Sequence, residues 1–284
     1  MAETATAPVK EATSALERLR SAKGFIFDMD GVLYRGNHQL PGVVDLINAL
    51  VIRDIPYMLA TNNSMSTPEM YVEKLGKMGI DTEPASILTS ATATRLHLIE
   101  TRKPGDKVYV IGMPALSDQL FIDVEYVKAE DDDTDIAAVV IGLDLEFTYT
   151  KLKRGNAAIR NGAEFVATNT DATLPTEEGL VPGAGSVVTA LRTASGVDPV
   201  VIGKPEPTTI LMSAKSMGLD PSDCVMIGDR LDTDILAGSH AGTLTSLVLT
   251  GVSTREEIAT AEALPDLVFS DLTALLAILE GDGA

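Results

Sequence analysis

The sequence predicts an α/β protein, a parallel sheet covered by helices and interrupted by a second α/β unit. Three observations carry this. Short apolar runs such as "GFIF", "YMLA" and "CVMIG" alternate with segments of helical apolar spacing, the pattern of strands linked by crossover helices. The same style of alternation occupies both ends of the chain, with a separate set between them. Of 284 residues, 45% are hydrophobic, yet Trp is absent and aromatics are only 4%, so the core must be built from Ala, Val, Leu and Ile.

The elements follow in order. Phe25, Ile26 and Phe27 read as a strand buried on both faces. "VVDLINALVIRD" is a helix, "IPYMLATNN" a strand ending in polar residues, and "EMYVEKLGKMGI" a helix closed by Gly79. "SILTS" is a short strand and "TATRLHLIETRK" a helix stopped by Pro104-Gly105. A second set begins at "KVYVIG" and runs through "LSDQLFI", "VEYVKA", the acidic loop "EDDDTD" and "IAAVVIGL". It continues with a helix over "TYTKLKRGNAAIRNG", then "EFVATNTD" and a helix over "SVVTALRTASG". "PVVIGKP", a helix over "PTTILMSAKSMGL", "CVMIGD", "DILAGSHAG" and "LTSLVLTG" resume the first style. The expected division is 1–103 and 199–284 as one layer, with 104–198 inserted. The Ala/Thr/Glu-rich start and the "EGDGA" tail read as frayed ends.

Charge narrows the function. With 22 basic and 41 acidic residues the net charge is −19, which repels phosphate backbones and anionic lipid, so neither nucleic acid nor membrane is expected as a partner. Cys224 is the only cysteine and cannot form an intrachain disulfide, which fits a reducing compartment. The polar start lacks the apolar region of a signal peptide, and no stretch approaches the roughly 20 apolar residues that span a bilayer. The expectation is a soluble, cytoplasmic protein.

Four apolar runs end in polar residues: Asp28 and Asp30 after "FIF", Thr61 and Asn62 after "YMLA", Lys204 after "VVIG", and Asp229 after "VMIG". In open parallel sheets ligands bind beyond the carboxyl ends of strands, so one place can collect all of them. Each has an ordinary reading as well. Asp-x-Asp-Gly is a common strand-to-turn ending, Thr61-Asn62-Asn63 can cap a helix, Lys204 can be a solvated loop lysine, and the acids of "GDRLDTD" suit a helix start. Taken together these ordinary readings would require four unrelated accidents. Asp28 and Asp30 sit one residue apart at the end of a buried strand, and two anions that close call for a cation or a shared proton.

Asp-Met-Asp-Gly-Val, Thr-Asn-Asn, Lys204-Pro205 and Gly-Asp229-x4-Asp234, in that order, resemble the four motifs of the haloacid dehalogenase superfamily. The large insert between the second and third motifs resembles that of its 4-nitrophenylphosphatase-like branch, which includes nucleotide, phosphoglycolate and pyridoxal phosphate phosphatases. The resemblance implies a Rossmann-like parallel-sheet core with a large α/β cap domain. It implies an Mg²⁺-dependent phosphatase of small organic phosphate monoesters, working through an aspartyl-phosphate. Asp28 would be the nucleophile and Asp30 the general acid and base. Asp28, Asp229 and the Asp30 carbonyl would hold Mg²⁺, with Asp234 acting from behind. Thr61, Asn62 and Asn63 would bind the phosphoryl group, and Lys204 would offset charge beside Asp28.

In the insert, "FVATNTDATLP" matches a loop that faces the site in the resembling family, so Thr170, Asp171, Ala172 and Leu174 are candidates for reading the leaving group. A strand-ending turn stabilised by Asn169 and Asp171 explains the same residues. The expected partner is a small phosphorylated metabolite, and a homo-oligomer formed through the cap is left open. Phosphotransfer to an acceptor other than water stays an alternative, as does a phospho-aspartate switch. A switch would be near 120 residues and has no use for the proton donor Asp30 supplies. His38, His97 and His240 show no zinc-like spacing, "GAGSVV" is a loop entering a helix, and "EDDDTD" lacks calcium-loop spacing.

Overall fold

The structure, a computed structural model, describes residues 9–176 and 179–281. In chain order the elements are α1 (Val9–Arg20), β1 (Gly24–Phe27), β2 (Tyr34–Arg35), β3 (His38–Gln39), α2 (Val43–Ile52), β4 (Tyr57–Thr61), α3 (Pro68–Gly76), β5 (Ile87–Thr89) and α4 (Ser90–Thr101). Next come β6 (Lys107–Ile111), α5 (Pro114–Leu120), β7 (Val127–Lys128), β8 (Ile136–Ile141), α6 (Tyr149–Arg160), β9 (Glu164–Ala167), β10 (Thr173–Thr176), β11 (Gly179–Pro182) and α7 (Ala184–Ser195). The chain closes with β12 (Val200–Val201), α8 (Thr208–Ser216), β13 (Cys224–Gly228), α9 (Leu236–Ala241), β14 (Leu244–Val248), β15 (Leu267–Phe269) and α10 (Leu272–Glu280). The fold is α/β, with a second α/β unit inserted into the chain of the first.

The first compact unit comprises the chain to Thr61, Tyr71–Leu88 and the chain from Lys204. Its six-stranded sheet has the order β15-β14-β13-β1-β4-β5. β1 pairs in parallel with β13 on one side and β4 on the other, so the chain leaves it in opposite directions in the two halves. That makes the carboxyl end of β1 a topological switch point, where ligands of such sheets bind. Every residue of β1 is buried. Alternation sends Phe25 and Phe27 to one face, against Leu46, Leu50 and Leu275, and Ile26 to the other, against Ile210, Ala214 and Met226.

The second unit comprises Asn62–Met70 and Thr89–Gly203. Its five-stranded sheet runs β12-β9-β8-β6-β7 with every pair parallel. α6 and α7 supply Ala158, Ile159, Val187, Val188 and Leu191 to its core. β10 and β11 form a separate antiparallel hairpin.

Several expectations need correction. The strand in "PVVIGKP" does not join the first sheet: Val200 and Val201 pair with Val166 and Ala167 of β9 in the second. Lys204 therefore reaches the first unit from the segment returning from the insert, and the two sheets supply the strand ends separately. The compact units also divide at points other than 104 and 198, because α4 and β12 belong to the second unit. The start expected to fray lies outside the described residues at 1–8, whereas 9–20 form a helix. There α1 buries Ala15 and Leu19, four residues apart on one helical face. At the other end α10 continues to Glu280, and 282–284 lie outside the described residues. Leu174 sits in β10 rather than in a loop. Cys224 is free and buried in the core, which pushes its thiol up to about 11. Among the described residues no helix is long and apolar enough to cross a membrane.

Candidate active site

β1 stops at Phe27, and the next residues turn sharply. Gly31 has φ +83°, a left-handed conformation open to glycine without cost, and a Cβ there would lie 2.5 Å from Asp229 Oδ2. The chain can thus carry Asp28 and Asp30 past Asp229 only because residue 31 has no side chain. A second glycine, Gly251, presses on the same carboxylate from the loop after β14.

Asp28, Asp229 and Asp234 each offer a carboxylate oxygen, and these three atoms lie within 4.8 Å of one another. Lys204 is buried beside them. Its Nζ lies 2.5 Å from Asp28 Oδ1, 2.7 Å from Asp234 Oδ1 and 3.2 Å from the Ala60 carbonyl, so three acceptors surround its three protons. Burial works against the ammonium charge, but Asp234 and Asp28 outweigh it and hold the lysine protonated well above its ordinary range. Burial raises the Asp28 carboxyl well above its usual value; Lys204 opposes this, and Asp234 and Asp229 add to it. Asp229 is pushed up to about 7, by burial first and then by Asp234, against the Val252 N–H and Lys204. Three acids and one lysine leave this cluster short of positive charge.

The partners of each acid separate their tasks. Asp234 spends one oxygen on Lys204, and its Oδ2 accepts from the backbone N–H groups of Asp229 and Arg230, both at 3.1 Å. It fixes the turn that carries Asp229. Asp229 Oδ2 accepts from Val252 N at 2.7 Å, while Oδ1 is buried with no hydrogen-bond partner. An orphaned carboxylate oxygen costs several kcal/mol unless something compensates it. A hard divalent cation fits this donor set, since Mg²⁺ takes oxygen ligands and commonly one or two carboxylates. Asp28 and Asp229 have oxygens to give it; Asp234 does not.

Asp30 stands apart from the three-acid cluster. Its Oδ2 accepts from the Tyr34 hydroxyl at 3.1 Å. It keeps solvent access, and the protein packed around its carboxyl raises its pKa against the opposing pull of Lys74 and of the Tyr34 hydrogen bond. Thr61 ends β4 and is buried. Asp28, Asp30, Thr61, Lys204, Asp229 and Asp234 all belong to the first unit.

The remaining candidates belong to the second unit. The Asn62 carboxamide donates to both oxygens of Asp171 at 3.3 Å, and the Asn62 carbonyl accepts from Ser90 Oγ at 2.6 Å and Asn169 Nδ2 at 2.8 Å. Asn63 Oδ1 accepts from Met65 N at 2.7 Å, an ordinary turn contact. Asn169 Oδ1 likewise accepts from Asp171 N, so the turn reading of this loop is correct for Asn169. Thr170 and Ala172 are exposed and Leu174 half-buried. The glycines of "GAGSVV" acquire a reason here: Gly183 and Gly185 abut the carbonyls of Asp171 and Thr170 where any Cβ would clash, and Gly185 N donates to Asp171 O at 2.9 Å.

Sequence reasoning missed Tyr34, Lys74, Ser90 and the loop Thr250–Ser253. That loop follows the strand end in "LVLTG", so its position was a signal. Thr250 Oγ1 donates to Gly31 O at 2.6 Å, and the N–H groups of Val252 and Ser253 donate to Asp229.

A model of haloacid dehalogenase-like hydrolases matches residues 25–121, and a second hydrolase model of that kind matches 201–275. An acid sugar phosphatase of Staphylococcus aureus is 39% identical over 262 residues, 92% of this chain and 100% of its own. The 4-nitrophenylphosphatase of Thermotoga maritima superposes with a TM-score of 0.85 at 33% identity, covering 92% of this chain and 99% of that one. The glycerol phosphate phosphatase of Mycobacterium tuberculosis, solved with magnesium, gives 0.83 at 32%, covering 90% and 78%. The chain belongs to the haloacid dehalogenase-like hydrolase family. Within it, this chain is a phosphatase.

Proposed function

We propose that the protein is a divalent-metal-dependent phosphatase of small organic phosphate monoesters, sugar and glycerol phosphates being the class its relatives suggest. The observation that carries the metal dependence is the buried, unpartnered Oδ1 of Asp229 beside Asp28. Asp28 and Asp229 would hold Mg²⁺ with the Asp30 carbonyl, and Asp234 would set the turn behind them. When bound, the cation offsets the negative charge that the ester brings to the acids.

The chain's own residues do the rest. Lys204 fixes Asp28 through Oδ1 and leaves Oδ2 to attack phosphorus. As the new O–P bond forms, the P–O bond to the leaving group breaks, and Asp30 gives that oxygen its proton. Asp30, now a carboxylate, then takes a proton from the water that attacks the aspartyl-phosphate. Inorganic phosphate leaves and Asp28 is regenerated. Thr61 would hold phosphoryl oxygens beside Asp28. The two acids in "FDMDG" thus have different work: one attacks and the other moves protons.

A panel of sugar, glycerol, nucleoside and nitrophenyl phosphates, assayed with Mg²⁺ and with chelator, tests the reading. Phosphate release that needs Mg²⁺ and favours the small aliphatic esters is expected. Full activity in chelator would rule out the metal, and transfer to added alcohols in place of water would favour phosphotransfer.

A further inference from the structure

Tyr34 is fully buried in the core of the first unit, yet its hydroxyl is aimed at Asp30 Oδ2, 3.1 Å away. The Lys74 ammonium from α3 sits 3.7 Å from the centre of the Tyr34 ring. Nothing in the fold of the hairpin β2–β3 requires either feature. A buried apolar ring at position 34 would pack as well, and a lysine has open water available to it.

We infer that Tyr34 and Lys74 are positioning residues for Asp30, fixing which of its oxygens faces the leaving group. This rests on the reading of Asp30 as proton donor. A ring with no exposure cannot swing, so its hydroxyl is a fixed point, and a carboxylate bonded to it has one orientation. Because Oδ2 accepts the Tyr34 proton, the proton that Asp30 transfers sits on Oδ1. It passes from Oδ1 to the leaving oxygen as the P–O bond breaks, and in the second half Oδ1 takes the proton from water. The Tyr34 O–H bond stays intact throughout. Lys74 acts on the ring: a cation over the π face draws electron density inward and makes the hydroxyl a better donor.

The test is a leaving-group comparison of Tyr34→Phe, Lys74→Met, Lys74→Arg and Asp30→Asn with the parent, on glycerol phosphate and nitrophenyl phosphate at saturating Mg²⁺. Glycerol is a poor leaving group that needs the proton, whereas nitrophenolate barely does. Tyr34→Phe should lower kcat on glycerol phosphate by about 10- to 100-fold, the range expected when a general acid is misplaced but present. The fall on nitrophenyl phosphate should be several times smaller, with KM unchanged. Lys74→Met should show the same split more weakly, and Lys74→Arg, which keeps a cation over the ring, should restore it. Asp30 keeps solvent access, so water can replace the lost hydroxyl and Tyr34→Phe should fold; if it does not, the Lys74 pair makes the same comparison. Equal losses on both esters for Tyr34→Phe, or for Lys74→Met should Tyr34→Phe not fold, would overturn the positioning role while leaving Asp30 as donor, provided Asp30→Asn shows the split. Equal losses for Asp30→Asn would overturn the donor reading itself, and the inference with it.

Discussion

Asp28, the proposed nucleophile, is crowded. It shares a lysine with Asp234 and lies within carboxylate range of Asp229, and its burial disfavours its charge. Asp28→Asn keeps the shape, removes the proposed nucleophile and relieves part of that crowding, while Lys204 retains Asp234. Turnover of nitrophenyl phosphate should fall by about a thousandfold or more, with the melting temperature held or raised. Retained activity in protein shown by mass spectrometry to be free of deamidation would exclude covalent catalysis by Asp28. Asp229 gives a prediction in pH. Its folded value of about 7 lies above the unfolded value of about 3.9, so between those values the native state binds more protons than the unfolded one. Stability of the metal-free protein should therefore fall as pH rises from about 4 to 7. Lys204 is raised, so its contribution is complete throughout this window and lost only far above it. Melting temperatures in chelator across that range should decline more steeply for the parent than for Asp229→Asn. Parallel curves would mean Asp229 does not carry the shift.

At the scale of elements, the turn after β1 depends on one atom that is missing. Gly31→Ala would place a methyl group against Asp229 Oδ2 and force an alanine to φ +83°. A strained left-handed residue costs about 1–3 kcal/mol, and the displaced carboxylate should also weaken Mg²⁺ binding in calorimetry. Unchanged Mg²⁺ affinity with lowered stability would show that the turn supports the fold alone. The same turn marks how far the sequence could be read. β1, β4 and β13 were legible because continuously buried strands are written as unbroken apolar runs, and their polar ends identified Asp28, Thr61 and Asp229 without coordinates. β12 was misplaced for the same reason: "VVIG" looks like the other runs, and two residues of strand carry no mark of the sheet they join. The hairpin β2–β3 has two-residue strands, too short for alternation to register. Tyr34 and Lys74 are forty positions apart, and only the packing of α3 brings them together. Gly183 and Gly185 fit no catalytic pattern because their reason is the carbonyls of a loop more than ten residues earlier.

Over the whole molecule, the residues that would handle phosphorus, metal and protons lie within the first unit. Such a set recognises a phosphoryl group and cannot tell one ester from another. Selectivity must come from groups that do not take part in the chemistry, and the loop that the family resemblance offers as a candidate for that role is held at both ends within the second unit. Residues 168–172 join β9 to the hairpin β10–β11, and both ends are fastened: Asn169 donates to the Asn62 carbonyl, and Gly185 N donates to Asp171 O. Asn62, which follows Thr61 directly, also donates to the Asp171 carboxylate. Thr170 and Ala172 are left exposed on a fixed backbone. A fixed loop with free side chains suits discrimination better than binding strength, because its contacts cost little ordering. Substitutions at Thr170, Ala172 and Leu174 should therefore shift relative kcat/KM among sugar, glycerol and nucleoside phosphates by about 1–3 kcal/mol, the worth of a pocket contact. The Mg²⁺ requirement and the rate on nitrophenyl phosphate should change far less. Asp171→Asn is the contrasting variant: it weakens the Asn62 contact and should change all esters together. If the Thr170, Ala172 and Leu174 variants also scaled every ester equally, the loop would be a support for the backbone at Asn62, and ester discrimination would belong to other residues.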